Sequence, residues 1–266
     1  MIDIKNMYFD YNDKNILHDI NLQIKNGELI AIMGVNGSGK STLAQLLNCL
    51  LKKKSGLIIT DNLNYDDSKN IFKIRAKVGM VFQNPDNQIV SSIVDEEIAF
   101  GPQNLNLDDI EIRVENALKI VGMEQYKNSS IDMLSGGQKQ KIAVAGILAI
   151  NPDYIIFDES TSMIDSKDEF INEVIKLNKN YGKTILFITH DVEEATKFDR
   201  LIVLSKGKII FDDTPQNIFC SENTTMYDFP FTIKFINELK RYGIEIEKTL
   251  SLQKLADTLA NLINHI

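Results

Sequence analysis

One octapeptide, GVNGSGKS from Gly34 to Ser41, constrains the fold of this chain more than any other segment. It matches the pattern G-x-x-x-x-G-K-[ST] and follows an apolar run, 29–33, that is bounded by glycines and predicts a buried strand. Leucines at helical spacing come next and predict a helix with one apolar face: Leu43, Leu46, Leu47 and Leu50. A strand, a glycine-rich loop and a helix in this order predict an α/β fold with a phosphate-binding loop.

The composition of this loop suits the phosphates of a nucleotide bound with Mg²⁺. Small residues let the backbone wrap closely enough for its N–H groups to hold phosphate oxygens. Lys40 is predicted to reach the β and γ oxygens, and Ser41 to bind Mg²⁺. The other loop residues predicted to contact the nucleotide are Gly34, Asn36, Gly37, Ser38, Gly39 and Thr42. A turn that binds nothing is the alternative, and the flanking strand and helix argue against it.

Two further apolar runs end in residues that could act on a bound phosphate. The run 154–157 leads to Asp158 and Glu159, and the run 184–189 leads to His190. Because ligands of open parallel sheets bind at the carboxyl ends of the strands, we expect these residues beside the loop. Asp158 suits Mg²⁺, Glu159 suits polarising the attacking water, and His190 could bond to the γ-phosphate or to that water. Solvated carboxylates and a histidine without a function are the alternatives.

Composition limits the partners of the chain. With 37 acidic and 29 basic side chains its net charge is −8, which argues against a broad nucleic-acid surface, so no nucleic acid is expected. No stretch approaches the ~18 apolar residues of a membrane span, and the first residues lack the pattern of a signal peptide. We therefore expect the chain alone to be soluble.

A second anion-binding arrangement occurs at LSGGQ, from Leu134 to Gln138, directly ahead of an apolar helix. Glycines there expose N–H groups at the positive end of the helix. With the phosphate loop, this motif resembles the nucleotide-binding subunits of ABC transporters over most of residues 1–220. In that family the signature completes the nucleotide site of a second subunit packed head to tail. The resemblance therefore implies that the nucleotide is ATP, and it implies contacts to a partner's nucleotide from Ser135, Gly136, Gly137 and Gln138.

The same resemblance implies further site residues. Gln83, in VFQNPDNQ, matches the glutamine that contacts Mg²⁺ and the attacking water, and His190 matches the switch histidine. Tyr11, in FDY, matches the ring that stacks on adenine, with Tyr8 and Phe9 as alternatives. Asp165, in TSMIDS, matches the loop that crosses the dimer interface beside the catalytic glutamate. The implied catalytic set is Glu159, His190 and Gln83, and the implied metal-binding set is Ser41, Gln83 and Asp158.

Three stretches are most similar to the ATPases of energy-coupling factor transporters, which import vitamins and transition-metal ions. They are VFQNPDNQIVSSIVDEEIAFGPQNL, LSGGQKQKIAVAGILAINPDYIIFDES and TSMID. The chain departs from the family at Lys141, Ser160 and Ser166, which weakens the subfamily assignment more than the activity. The implied partners are a second ABC ATPase subunit, identical or related, a transmembrane coupling protein and a substrate-binding membrane protein. The implied location is the cytoplasmic face of the cell membrane.

The predicted organisation is an ABC ATPase domain, 1–220, and a C-terminal helical extension, 221–266. Residues 1–30 predict an antiparallel sheet, and the helix predicted at 108–121 belongs to a helical subdomain that carries the signature. The predicted strands of the parallel sheet are 29–33, 77–82, 154–157, 184–189 and 201–204. The extension predicts two amphipathic helices, either packed on the core or contacting another subunit. One face of the second helix holds Leu252, Leu255, Leu259 and Leu262.

The segment 83–101 is predicted to contact the transmembrane partner. Apolar residues at helical spacing predict a short helix after the glutamine: Ile89, Val90, Ile93 and Val94. Asp95, Glu96 and Glu97 could pair with arginines of the partner, or form a solvated face. Two alternatives to a transporter ATPase are a soluble ABC protein of DNA repair or translation and a hydrolysis-dead regulatory module. The absence of long heptads and of a second ATPase unit argues against the first, and the presence of Lys40, Glu159 and His190 against the second.

Overall fold

The computed structural model describes residues 1–12, 14–162, 164, 166–221 and 226–264. Within them the strands are β1 (Ile2–Tyr11), β2 (Lys14–Ile24), β3 (Leu29–Met33), β4 (Ser55–Thr60), β5 (Leu63–Asn64), β6 (Val78–Val81), β7 (Tyr154–Asp158), β8 (Thr184–Ile188), β9 (Arg200–Ser205) and β10 (Lys208–Asp213). The α-helices are α1 (Lys40–Leu47), α2 (Ile71–Lys77), α3 (Val94–Asn104), α4 (Ile110–Val121), α5 (Gly136–Ile150), α6 (Lys167–Tyr181), α7 (Val192–Ala195), α8 (Pro215–Cys220), α9 (Phe231–Arg241) and α10 (Leu252–Asn264).

These strands form two sheets, and the predicted α/β fold with an antiparallel subdomain is confirmed. The first sheet is antiparallel, with the order β2-β1-β4-β5. The second has the order β10-β9-β3-β8-β7-β6, and all its pairs are parallel except β10 with β9. All five predicted strands of the parallel sheet are present, within two residues of the predicted ends.

The phosphate-loop strand β3 is buried on both faces of the second sheet. Leu29, Ala31 and Met33 join one hydrophobic cluster, and Ile30 and Ile32 join the other. This division follows from the two-residue period of a strand, which sends successive side chains to opposite faces. A continuous apolar run is therefore what a strand covered on both faces requires.

The parallel pairing brings four strand ends to one edge of the sheet. In the order β3-β8-β7-β6, the four strands run in the same direction and end before Gly34, Thr189, Glu159 and Phe82, respectively. The polar residues that follow each strand are therefore neighbours, although they are far apart in the sequence.

Two helix predictions are corrected at their boundaries. Helix α1 ends at Leu47 because the chain turns away at Asn48 and Cys49, the latter with a left-handed φ of 58°, so Leu50 lies outside the helix and is exposed. Helix α3 begins at Val94 and not at Ile89, because Ile93 is extended and caps the helix. The segment 89–92 is therefore not a helix.

Helices α3, α4 and α5 pack against one another and form the helical subdomain that carries the signature. Helix α4 begins two residues after the predicted start at 108 and ends at the predicted Val121. The signature lies at the beginning of α5, and this helix also contacts strand β6. The subdomain is thus joined directly to the strand that precedes Gln83.

The extension contains the two predicted helices, α9 and α10. Ile233 of α9 is buried in the same cluster as the ATPase core, and Leu255 of α10 is also buried. The predicted apolar face of α10 is only partly covered, because Leu252 and Leu262 are exposed. Among the described residues, no helix has the length and hydropathy needed to cross a membrane.

Candidate nucleotide-binding site

The phosphate loop wraps around the N-terminus of α1. A Cβ atom built on Gly34 would lie 2.3 Å from the carbonyl oxygen of Leu204 and 2.5 Å from Oγ of Ser38, so only glycine fits there. Gly39 caps α1 and has no side chain that could satisfy the first N–H groups of the helix. Oγ of Ser38 is buried and has no hydrogen-bond partner among the described residues. The first N–H groups of α1 and the Ser38 hydroxyl are thus donors available to a phosphate, and the glycines let the backbone approach it closely. These residues therefore fit the phosphates of ATP.

Lys40 is buried inside this loop. Its Nζ donates to the carbonyl oxygen of Gly34 at 2.8 Å and lies 3.6 Å from Oε1 of Glu159. A buried ammonium that is shared between a carbonyl and a carboxylate can turn towards phosphate oxygens without leaving the loop. The remaining predicted loop residues also lie at this end of α1, with Asn36 exposed and Thr42 half-buried in its first turn.

Ser41 and Asp158 form the part of the site that fits Mg²⁺. Oγ of Ser41 donates to Oδ1 of Asp158 at 2.9 Å. Burial raises the pKa of Asp158 above its ordinary value, and the charge of Glu159 adds to this, while the Ser41 hydrogen bond and Lys40 act against it. A cation beside Asp158 would favour its charged form. No group of three or more His, Cys, Asp or Glu side chains in the described ranges could hold a metal ion. Mg²⁺ is ordinarily bound through one or two carboxylates together with phosphates and water.

Glu159 lies at the centre of the converging strand ends. Its backbone N–H donates to the carbonyl oxygen of Ile188 at 3.1 Å, which ties it to β8, and its φ of 46° is left-handed. Such a conformation is uncommon for a glutamate, because it is adopted mainly by glycine, asparagine and aspartate. Nε2 of Gln83 donates to Oε2 of Glu159 at 3.5 Å, and Nδ1 of His190 lies 3.8 Å from the same oxygen. Glutamine, histidine and lysine thus surround one carboxylate.

The backbone next to Gln83 is held by two glutamines whose role the sequence did not reveal. Oε1 of Gln88 accepts a hydrogen bond from the N–H of Phe82 at 3.1 Å, and Nε2 of the fully buried Gln140 donates to the Phe82 carbonyl at 3.2 Å. Gln140 belongs to α5, so the signature helix reaches the glutamine loop directly. A polar residue on the apolar face of a helix was the signal that could have revealed it.

The signature residues lie apart from this cluster, at the beginning of α5. Oγ of Ser135 accepts a hydrogen bond from the N–H of Gln138 at 3.3 Å, and the N–H of Ser135 donates to Oε1 of Gln138 at 2.9 Å. Both side chains are thus engaged in a capping box. Among the described residues, no hydrogen bond joins the signature to the phosphate loop, and a Cβ atom on Gly137 would meet nothing within 4 Å. The chain itself does not require this glycine.

The two remaining predicted nucleotide contacts are Tyr11 and Asp165. Tyr11 ends β1, is 43% exposed, and packs edge-on against Phe9, whose partner across the sheet is Leu17. Leu17 contacts the phosphate loop, since a Cβ on Gly39 would lie 2.5 Å from its Cδ2. Tyr11 therefore extends from the side of the first sheet that borders the loop, whereas Phe9 is buried. Asp165 lies outside the described residues.

Comparison with known sequences gives consistent matches over almost the whole chain. The ABC transporter family matches residues 17–162. The energy-coupling factor transporter ATP-binding protein EcfA1 of Clostridium novyi is 43% identical, over 98% of this chain and 98% of that protein. The protein of the same name from Ligilactobacillus salivarius is 45% identical, over 97% of this chain and 95% of that protein.

Solved structures agree with the sequence matches. CbiO1 of Clostridium perfringens, described as part of the ABC transporter complex cbiONQ, superposes with a TM-score of 0.77 at 36% identity, over 91% of this chain and 96% of that chain. A dimeric ATP-binding cassette in a post-hydrolysis state, bound to ADP and Pi, superposes with a TM-score of 0.73 at 32% identity. The match covers 81% of this chain and 99% of that chain.

Proposed function

This chain belongs to the ABC transporter family and, within it, to the ATP-binding proteins of energy-coupling factor transporters, and from that premise we propose that it is the ATP-hydrolysing motor of an importer of vitamins or transition-metal ions. The working unit is a head-to-tail pair of ATPase subunits, identical or related. The pair is bound to the cytoplasmic face of a transmembrane coupling protein, which associates with a separate substrate-binding membrane protein.

One observation carries the proposal of hydrolysis by this chain. Glu159 lies within 4 Å of three groups that come from three other strand ends: Lys40, Gln83 and His190. A carboxylate beside the phosphate loop is positioned to take a proton from an attacking water. The lysine neutralises charge on the phosphate, and the glutamine and histidine hold the water and the γ-phosphate in line. These roles explain why four loops that are distant in the sequence meet at one carboxylate.

Mg²⁺, when bound with ATP, neutralises the phosphate charge that develops during transfer. Ser41 and Asp158 are the side chains that would hold it, joined by Gln83 from the neighbouring strand end. The hydroxyl of Ser41 already lies against the carboxylate of Asp158, so the two oxygens are arranged on the phosphate side of α1.

The signature supports the proposal of a two-subunit site. Its glycines, Gly136 and Gly137, are the first two residues of the 15-residue helix α5, and of the first three N–H groups of this helix the capping box satisfies only that of Gln138. Gly137 has open space where a side chain would be. A glycine that its own chain does not need is suited to the close approach of a ligand from outside, and we propose that this ligand is the γ-phosphate held by the partner's phosphate loop.

A groove near Gln83 supports the proposed contact with a membrane partner. Its volume is about 460 Å³, and it lies between helices α2, α3 and α5. Phe72 and Phe100 line it and are 71% and 47% exposed, respectively. Gln88, which also holds the backbone beside Gln83, forms part of its wall. A partner helix in this groove would thus contact a residue that is connected to the catalytic site.

The direct test is ATP turnover by the complex of this chain with its native membrane partners. We expect Glu159→Gln to lower kcat by a factor on the order of 10² or more, while ATP still binds, because the amide keeps the shape but cannot take a proton. Glu111→Gln, on the exposed surface of α4, is the matched control. Turnover of Glu159→Gln within twofold of the unchanged complex would refute the assignment.

A further inference from the structure

The C-terminal extension contacts the loop that carries His190. Residues 226–231, here called the strap, lead into helix α9. The hydroxyl of Tyr227 in the strap donates to the backbone carbonyl of His190 at 3.2 Å. The His190 side chain itself is 63% exposed. Since little else surrounds this imidazole, the position of its backbone decides where it points.

A second anchor joins the strap to the same loop. The backbone N–H of Phe231 donates to Oε1 of Glu193 at 2.6 Å, and Glu193 lies three residues after His190. Between the anchors, Oδ1 of Asp228 forms an ion pair with Nζ of Lys234 at 2.7 Å, which closes the turn into α9. The strap therefore holds the segment 190–193 at both ends.

The opposite side of this loop is held by the ATPase core. Oδ1 of Asp191 accepts hydrogen bonds from the first N–H groups of α7, and Oγ1 of Thr189 accepts one from the N–H of Asp191 at 3.0 Å. Thr189 also donates to the buried Glu194 at 2.5 Å. These contacts of Thr189 and Asp191 fix the start of α7. The carbonyl of His190, which lies between these two residues in the chain, is bonded to the strap instead.

The hydroxyl of Tyr227 is suited to a permanent donor role. The Tyr227 side chain is 46% exposed, and its partial burial, together with the carboxylates of Asp228, Asp191 and Glu159, raises its pKa to about 12. The phenol keeps its proton at neutral pH, as an ordinary tyrosine does, and the raised pKa extends this to alkaline pH.

We propose that Tyr227 is a positioning residue for His190, through which the C-terminal extension controls how the imidazole is presented to the γ-phosphate. The inference rests on the proposed role of His190 in hydrolysis. In this chain, Nδ1 of His190 and Oε2 of Glu159 are 3.8 Å apart, longer than a hydrogen bond, so a small rotation of the loop decides whether the two can act together. A displacement of about 1 Å in a catalytic group can cost a factor on the order of 10².

The first test concerns the loop alone and needs no hydrolysis. Tyr227→Phe removes one hydroxyl and keeps the ring. Tyr242→Phe is the matched control, because Tyr242 follows the last residue of α9 and its side chain is 77% exposed. In the full chain, we expect hydrogen exchange of the peptide covering 189–196 to be about fivefold faster in Tyr227→Phe, with unchanged exchange elsewhere and with Tyr242→Phe like the unchanged chain. Equal exchange in all three proteins would overturn the proposal.

The second test is a double-mutant cycle on ATP turnover by the assembled complex. Tyr227→Phe should lower kcat about threefold to tenfold with KM for ATP unchanged, and it should have no further effect when His190 is already alanine. A purely structural role would lower both backgrounds equally, and that result would contradict the inference. If His190→Ala alone keeps full turnover, the proposed role of His190 fails instead. The exchange experiment then still decides whether Tyr227 holds the loop.

Discussion

At the scale of single residues, two glycines of this chain serve different purposes. Gly34 is required by its own fold, because a Cβ atom would overlap the carbonyl of Leu204 and the hydroxyl of Ser38. Gly137 has no such neighbour, and it lies in the first turn of a helix, where alanine is a better helix former. A residue that costs helix stability and relieves no contact within the chain points to a contact outside it.

Gly137→Ala should therefore separate folding from function. We expect the free energy of unfolding to stay the same or rise by up to about 1 kcal/mol, since the added methyl meets open space and alanine favours the helix. Turnover of the assembled ATPase should fall by a factor on the order of 10², because the methyl keeps the partner's phosphate away from the helix N-terminus. Urea unfolding of the isolated chain and ATP turnover of the complex provide the two measurements. Full turnover would show that the signature backbone does not approach a nucleotide.

At the scale of elements, the three acids at the start of α3 do not form one surface. All three lie in the first helical turn, where negative charge offsets the helix dipole. Glu97, however, is buried, and its Oε2 accepts hydrogen bonds from the N–H groups of Val90 and Ser91, each at 2.8 Å. Glu97 therefore fixes the loop that precedes the helix. The prediction of a partner-binding acidic group is restricted to the exposed Glu96 and the half-buried Asp95.

Glu97→Ala and Glu96→Ala should consequently differ in stability. We expect Glu97→Ala to lower the free energy of unfolding by about 2 to 4 kcal/mol, because two N–H groups lose their acceptor. The neighbouring Glu96→Ala should change it by no more than about 0.5 kcal/mol. Urea unfolding monitored by circular dichroism measures both, and Glu97→Gln should recover part of the loss because it keeps one acceptor oxygen. Similar values for the two alanine variants would mean that the loop does not depend on Glu97.

At the scale of the whole molecule, the groove between α2, α3 and α5 is linked to the nucleotide site through the side chain of Gln88. Gln88 contributes to both, since it bonds to the backbone beside Gln83 and lines the groove. Asp95 and Glu96 lie at the start of α3, whose later residue Phe100 lines the same groove. An apolar groove next to negative charge suits an amphipathic helix that carries arginines.

Reversal of both charges, Asp95→Lys with Glu96→Lys, should leave ATP binding by the isolated chain intact, because neither residue lies in the phosphate site. We expect assembly with the transmembrane partner, or substrate uptake, to fall at least tenfold. Glu111→Lys reverses one acidic residue in the first turn of another helix, α4, and is the control for the effect of charge reversal at a helix start. Co-purification and uptake by reconstituted complexes measure the outcome. Normal assembly and transport would place the coupling surface elsewhere.

Much of the site could be predicted because its chemistry is local in the sequence. A phosphate loop needs its glycines, lysine and serine within eight residues, between a strand and a helix, and all of them are adjacent in the chain. The positions of Glu159 and His190 at strand ends followed from apolar runs that end in polar residues. The hydrogen-bond partners of Glu97, Gln88 and Gln140 could not be predicted, because each side chain bonds to the backbone of a residue six or more positions away. The position of Gln140 on an apolar helix face signalled only that this side chain is buried. The helix start predicted at residue 89 was wrong because Ile93 is extended and caps α3, while the N–H groups of Val90 and Ser91 donate to Glu97 in the loop before it.

The sequence alone determined the family, the class of fold and the identity of the candidate catalytic groups, since the spacing of short motifs and the period of apolar residues are properties of the chain itself. The tertiary structure decided the distances and contacts through which these groups meet. The parallel order β3-β8-β7-β6 brings Lys40, Glu159, His190 and Gln83 together at one edge of the sheet. The packing of the C-terminal extension brings Tyr227, 37 residues further along the chain, to the carbonyl of His190. Contacts of this kind depend on the packing of distant elements, and no local pattern of residues encodes them.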